Sequence, residues 1–399
     1  MKNTTKNFKN VLPKLRELGF KDYESIAVIK SILVQYENIS GLQIKQSGKR
    51  TYQLILGTEV YAEIGFNKKF QLHEIKVPEK LWKTYSPLIE KDADINEVRI
   101  ARSVIFSYRQ LRGYFRIPEW LQLRPVPYEL KYKTGFGALN LADQTSCNMI
   151  GLPIPLVIEV VYRNSELHFL KIFRPSRALQ ETKWLLSAFI DVPIFELNHI
   201  FCWTLLEGTS QLVQCSIKTG LEDISEKEFS DVKNLPELIP VSNLQYFSEL
   251  GISSQEFRIP QLEELYEKYV TLPIEKQSRF LRSCASLWEA SNPLLSECHR
   301  LVALVTAIEP LLEEPERCDK CGQMIGITRQ FELFWKKYVN PPKDIEDIFK
   351  SIYETRSEIV HGRRNLEVDG MPFMNLQYNT FISAWISAKR GVINWFLSQ

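Results

Sequence analysis

Residues 351–365 read SIYETRSEIVHGRRN, and they set an arginine where an amphipathic helix should be apolar. In the longer run DIEDIFKSIYETRSEIVHG (344–362), Ile345, Ile348, Phe349, Ile352, Ile359 and Val360 recur at helical spacing and define an apolar stripe. A step of four from Ile352 lands on Arg356, and three more lands on Ile359, so Arg356 falls within that stripe. A guanidinium there needs an acidic partner or a polar cleft between packed helices. Glu309, on the edge of the Leu301–Leu312 stripe, is a candidate buried partner from a neighbouring helix. His361 comes five positions after Arg356, about 140° round an ideal helix, so the two share a face only if the last turn distorts. Gly362 can take the left-handed conformation that ends helices. A histidine titrates near neutrality by nature and can both take and give a proton. Arg363 and Arg364 extend a small positive cluster just past the helix end.

Working outward, everything after the stretch 220–262 reads as helix. QLEELYEKYVTLP and EKQSRFLRSCASLWEASN come first, then LLSECHRLVALVTAIEPLL (294–312), with Leu294, Leu301, Leu304, Val305, Ile308 and Leu311 at helical spacing. YNTFISAWISAKRGVINWFL (378–397) places Tyr378, Phe381, Ile382, Trp385, Val392 and Phe396 on one face. Four or five helices with short connections predict an all-α bundle over 260–399. Residues 220–262 themselves carry Pro, Gly, Ser and acidic punctuation without a sustained period, and mark the boundary. Residues 1–250 read as a mixed, β-rich region. KRTYQLILGTEVYAEIGF (49–66) has two alternating runs about Gly57-Thr58, a hairpin signal, and FQLHEIKV (70–77) alternates again. LVIEVVYR and ELHFLKIF about Asn164-Ser165, and IFCWTLLEG and SQLVQCSIK about Gly208-Thr209, predict two more hairpins. INEVRIARSVIFSYRQLRGYF (95–115) reads as helix. The fold class is therefore α+β, a β-rich N-terminal region followed by a helical bundle.

Composition narrows the function classes. The 399 residues are 44% hydrophobic and 25% charged, with a net charge of +2, so there is no global basic field to drive non-specific nucleic-acid binding. Any such contact has to come from a local patch. GLPIPLVIEVVY (151–162), the most apolar stretch, is too short to span a bilayer and carries Glu159. The N-terminus lacks a signal-peptide apolar core, and seven scattered cysteines read as reduced thiols. The expected location is the cytoplasm, with no membrane contact.

The pattern RSEIVHG, an arginine and a histidine with four residues between them at a helix end, resembles the HEPN family. The preceding AIEPLL helix and the CDKCG insert are most similar to its Apea-like branch. The resemblance covers roughly residues 260–398. It implies a helical bundle paired as a homodimer, acting as a metal-independent endoribonuclease on an RNA substrate. Arg356 and His361 would be the catalytic pair of a composite cleft, with Glu309 and Ser357 in support and Arg363 and Arg364 toward the RNA. The chemistry suits the residues: histidines serve as base and acid, a planar guanidinium holds the phosphate, and no cofactor is required. The family's likeness to prokaryotic defence and toxin systems implies that residues 1–250 sense a trigger or target and restrain the cut. Other HEPN proteins are non-catalytic dimerising or RNA-binding modules. The bland reading of the same residues is an Arg356–Glu309 core bridge and a histidine helix cap.

Cys318 and Cys321 in CDKCG have zinc-knuckle spacing but supply half of a tetrahedral site. Cys298 and His299, or cysteines of a partner chain, would complete a structural zinc. A relic of a zinc loop and a redox-active pair are the rival readings. GFGAL (135–139) lacks the third glycine of a phosphate loop and reads as a turn. His73, His168 and His199 sit near strand-like segments with no nucleophile or acid arrangement around them. KYKTGF and YRQLRGYFR mix bases with aromatics, a pattern that suits core packing better than RNA.

Overall fold

The computed structural model describes residues 7–37, 39, 41–67, 71–107, 121–125, 129–134, 137–141, 154–190, 194–195, 201–205, 212–218, 240–248, 260–292, 295–313, 326–339, 346–366 and 376–399. An antiparallel N-terminal sheet and a largely helical remainder make the chain α+β. By its contacts the chain divides into two compact units, residues 1–101 with 161–178, and residues 102–160 with 179–399. Most of the expected boundary at 220–262 lies outside the described residues.

The first unit is built on β1 (Phe8–Asn10), β2 (Gln43–Gln46), β3 (Thr51–Leu56), β4 (Glu59–Phe66) and β5 (Leu72–Pro78), all antiparallel in the order β1-β5-β4-β3-β2. The Gly57-Thr58 hairpin is present: Leu56 pairs with Glu59, and Gly57 has φ +61°, a conformation glycine adopts without steric cost. Alternation buries Leu54, Ala62, Ile64, Ile75 and Val77 on one face. Helices α1 (Leu12–Glu17), α2 (Asp22–Ser31) and α3 (Glu79–Ala93) cover it with Leu12, Leu15, Val28, Ile29, Trp82 and Ile89.

The expected hairpin at Asn164-Ser165 is not formed. β10 (Ile154–Arg163) ends there, and ELHFLKIF enters α4 (His168–Phe189). Helix N-termini expose unpaired N–H groups, and here they are met from three sides. Buried Asp92 accepts from Ser165 Oγ at 2.8 Å, Glu166 N at 2.7 Å and Leu167 N at 3.3 Å. Gln35 Oε1 accepts from His168 N, and Ser31 Oγ from Phe169 N, each at 3.0 Å. A buried ion pair, Arg174 Nε to Glu24 Oε1 at 2.6 Å, ties α4 to α2. His168 thus opens a helix, whereas His73 lies exposed on β5 and His199 is outside the described residues.

The segment 95–115, expected as helix, contains strand β6 (Val98–Ser107). Its Val98, Ile100, Val104 and Ile105 are β-branched, a residue type that favours an extended backbone, and β6 takes its place within a sheet. The order is β11-β6-β10-β7, with β7 at Leu121–Pro125 and β11 at Ile194–Phe195. A second four-stranded sheet runs β12-β13-β8-β9. In it β12 (Phe201–Leu205) pairs antiparallel with β13 (Leu212–Lys218), as the alternation predicts. KYKT belongs to β8 (Glu129–Thr134), and Gly137 to Leu141 form β9 rather than a turn; Gly135 and Phe136 fall outside the described residues, as does YRQLRGYFR.

Seven helices complete the described chain: α5 (Asn243–Ser248), α6 (Leu262–Thr271), α7 (Ile274–Ser291), α8 (Glu297–Ile308), α9 (Ile327–Tyr338), α10 (Glu346–Val360) and α11 (Leu376–Leu397). α8 packs against α7, α10 and α11, with Leu301, Leu304, Val305, Ile308 and Leu311 buried as their spacing requires. Phe280 of α7 stacks on Phe396 of α11 at 4.3 Å, and Phe189 meets Tyr266 edge to face at 5.2 Å. Burial drives the Tyr266 hydroxyl and the Cys284 thiol well above their usual pKa. Lys389, itself buried, donates to the Ile190 carbonyl. α9 has no counterpart among the helices expected from periodicity. Gly391 of α11 lets it approach, since a Cβ there would sit 3.1 Å from Phe334.

Candidate functional site

The end of α10 and the turn after α8 form the site. Arg356 Nη2 donates to Glu309 Oε1 at 2.8 Å, joining α10 to the short 3-10 turn Glu309–Leu311. The two side chains are 23% and 28% exposed, so the pair sits at the rim of the bundle rather than inside it. The Arg356 Nε is buried without a hydrogen-bond partner, so only part of the guanidinium fork is satisfied. The core position on this turn belongs instead to Thr355, 3% exposed, beside buried Ile352. Val360, counted in the apolar stripe, is 52% exposed. The helix phase is therefore turned toward Thr355: Arg356 borders the stripe and Val360 leaves it. Ile345 lies outside the described residues.

The helix ends in an orderly way. Gly362 has φ +67°; its N–H donates to Ile359 O at 3.0 Å and the Arg363 N–H to Glu358 O at 2.8 Å. That pair of bonds is a Schellman C-cap. His361 N donates to Ser357 O at 3.1 Å, an ordinary helical bond, so the turn between Arg356 and His361 is undistorted. The two residues thus keep the 140° separation of an ideal helix. His361 faces solvent as the C-cap residue, and Ser357 is half-buried.

The arginines after the glycine differ. Arg363 is exposed. Arg364 folds back, donating from Nη1 to Thr355 Oγ1 at 3.2 Å and Glu358 Oε2 at 3.3 Å. Sequence reasoning missed this clasp, and the nine-residue Thr355–Arg364 spacing across a turn gives no periodic signal for it. It also missed Cys298 as an anchor. Leu366 N donates to the Cys298 sulfur at 3.1 Å, which pins the chain after α10 onto α8.

Cys318 and Cys321 lie outside the described residues. Of the residues suggested to complete a zinc site, Cys298 and His299 are described. Cys298 is buried and engaged with Leu366, whereas His299 is exposed, with Nδ1 2.7 Å from Ser296 Oγ. Adjacent helical positions point about 100° apart. Among the described residues, no helix is long and apolar enough to cross a membrane.

Compared with known proteins, the chain matches no family model, no curated protein and no solved structure.

Proposed function

We propose that this chain is a metal-independent endoribonuclease of HEPN type, a regulated defence or toxin effector whose N-terminal region senses a trigger. The observation that carries the reading is the Arg356–Glu309 pair at the rim of the bundle, one turn before a solvent-facing His361. A guanidinium with part of its fork unsatisfied is suited to a phosphodiester and to the charge that develops on it. His361 takes the proton of the ribose 2′-hydroxyl as its oxygen attacks phosphorus. The P–O5′ bond breaks, and a second histidine protonates the leaving 5′-oxygen. The products are a 2′,3′-cyclic phosphate and a 5′-hydroxyl. Because Arg356 and His361 point about 140° apart on one undistorted turn, a shared cleft needs a second copy, hence a homodimer. Glu309 fixes the guanidinium, Ser357 borders it, and Arg363 reaches toward flanking phosphates. Arg364, clasped by Thr355 and Glu358, holds the loop and reaches RNA only if that clasp opens.

One observation favours the alternative, a non-catalytic dimerising or RNA-binding module: Glu309 already neutralises Arg356. The test incubates wild type, Arg356→Ala and His361→Ala with structured and single-stranded RNA in EDTA and maps the ends. Cyclic-phosphate cleavage by wild type alone, with folding and dimerisation equal in all three, is the expected result. Equal cleavage by all three sinks the assignment. Salt-dependent RNA binding without cleavage, in the presence of whatever ligand the N-terminal region takes, establishes the binding module.

A further inference from the structure

We infer that Arg279 is a positioning residue for the Arg356 site, acting through the turn that carries Glu309. It stands on α7, and its guanidinium spans the end of the neighbouring helical run. Nε donates to Pro310 O at 2.7 Å and Nη2 to Leu312 O at 2.9 Å. The same guanidinium lies over the ring of buried Trp395 on α11, 5.5 Å from its centroid, which restricts where the fork can point. Among the described residues Arg279 bonds no carboxylate, so its fork is committed to this turn.

The turn Glu309–Leu311 continues α8 without a break, since Glu309 keeps helical φ and ψ as the C-cap of that helix. The last carbonyls of a helix have no partner within it and carry the negative end of its dipole. A carboxylate is disfavoured at that end, yet Glu309 sits there, 28% exposed, with Oε1 2.8 Å from Arg356 Nη2. Neither helix capping nor core packing calls for an acid in this place. Arg279 makes the position tenable: it satisfies two end carbonyls, brings positive charge to the dipole's negative end, and holds the backbone from which Glu309 reaches. A planar fork bonded to two carbonyls fixes the turn's orientation as well as its place, which a point charge would not. Among the described residues Glu309 gives Arg356 its one hydrogen bond, so a turn held by Arg279 aims the Arg356 guanidinium. The consequence for cleavage rests on the ribonuclease reading, whereas the coupling between the two arginines does not.

The isotopically labelled full-length protein reports Arg356 through its side-chain Nε–H resonance, assigned by its loss in Arg356→Lys. Arg279→Ala and Glu309→Gln should shift or broaden that resonance alike, because both loosen the same contact. Arg279→Lys keeps the stem and a cation near Trp395 but cannot bridge both carbonyls. It should move the resonance the same way in a chain that melts like wild type, which covers a failure of the alanine variant to fold. On RNA, Arg279→Ala should lower kcat about tenfold or more with KM within about twofold. The double variant Arg279→Ala/Glu309→Ala should be no slower than Glu309→Ala alone, since both substitutions remove one and the same constraint. An Arg356 resonance unmoved in the folded Arg279 variants overturns the positioning role, and so does an additive double variant; Arg279 is then a helix cap and nothing more. Where wild type cuts no RNA, the rate comparison falls away with the ribonuclease reading, and the resonance alone decides the positioning.

Discussion

At the scale of single residues, Gly362 and Arg356 carry different kinds of information. Gly362 is required by backbone conformation: φ is +67°, with nothing within 4 Å of where a Cβ would be. Gly362→Ala therefore costs conformational strain and no steric clash, about 1–2 kcal/mol in chemical denaturation. If the C-cap positions His361, cleavage by this variant falls more than its stability does. Arg356 is required by its partner. The stripe called for an acidic partner or a polar cleft, and Glu309 is the partner present, yet the partly exposed setting means the pair contributes little to folding. Loss of activity on Arg356→Ala with an unchanged denaturation midpoint is the signature expected of a functional rather than structural arginine.

At the scale of elements, Asp92 decides the conformation of a segment far downstream in the chain. Its buried carboxylate, near the C-terminus of α3, accepts three hydrogen bonds at the start of α4. Asp92→Ala removes the acceptor of the buried Ser165 hydroxyl and of Glu166 N, while Leu167 N keeps its 3.1 Å bond to Ser165 Oγ, and the expected loss is about 1–3 kcal/mol, read as a lower denaturant midpoint with an unchanged m-value. The helices of the bundle hold two groups whose burial links stability to pH. Cys284 and Tyr266 have pKa values raised by desolvation, so the folded chain keeps protons that the unfolded chain releases. Above the free thiol value of about 8.5 the unfolded state binds fewer protons, and stability falls as pH rises. Denaturation at pH 7.5 and 9.5 should show this loss, and Cys284→Ala should flatten the first part of the slope. A slope unchanged by that substitution assigns the effect to other groups.

At the scale of the whole molecule, the first unit is discontinuous in sequence. Residues 161–178 supply the partners of Glu24, Ser31, Gln35 and Asp92 and the buried Leu167 and Leu170. A fragment of residues 1–101 alone should therefore fail to fold cooperatively. Asn164 N donates to Glu97 O at 2.8 Å, so the two segments are adjacent where they meet. A short Gly-Ser link from Ala101 to Val161 should restore a folded unit of residues 1–101 and 161–178, checked by circular dichroism and thermal melting. If the linked fragment stays unfolded, the unit depends on the rest of the chain.

The sequence by itself determined whatever rests on local periodicity and turn chemistry. The Gly57-Thr58 hairpin, the pairing of Phe201–Leu205 with Leu212–Lys218, the Leu301–Leu311 stripe and the glycine that ends α10 all depend on residues within one turn or one hairpin of each other. Tertiary structure decided the rest, because distant partners changed the balance. Val98–Ser107 is a strand because other strands pair with it, and ELHFLKIF is a helix because Asp92, Ser31 and Gln35 satisfy its first N–H groups. In the candidate site, the Arg356–Glu309 contact was legible from a broken apolar stripe. The Arg364 clasp on Thr355 and the Cys298 anchor were not, since each joins a loop to a helix at a spacing that no periodicity encodes.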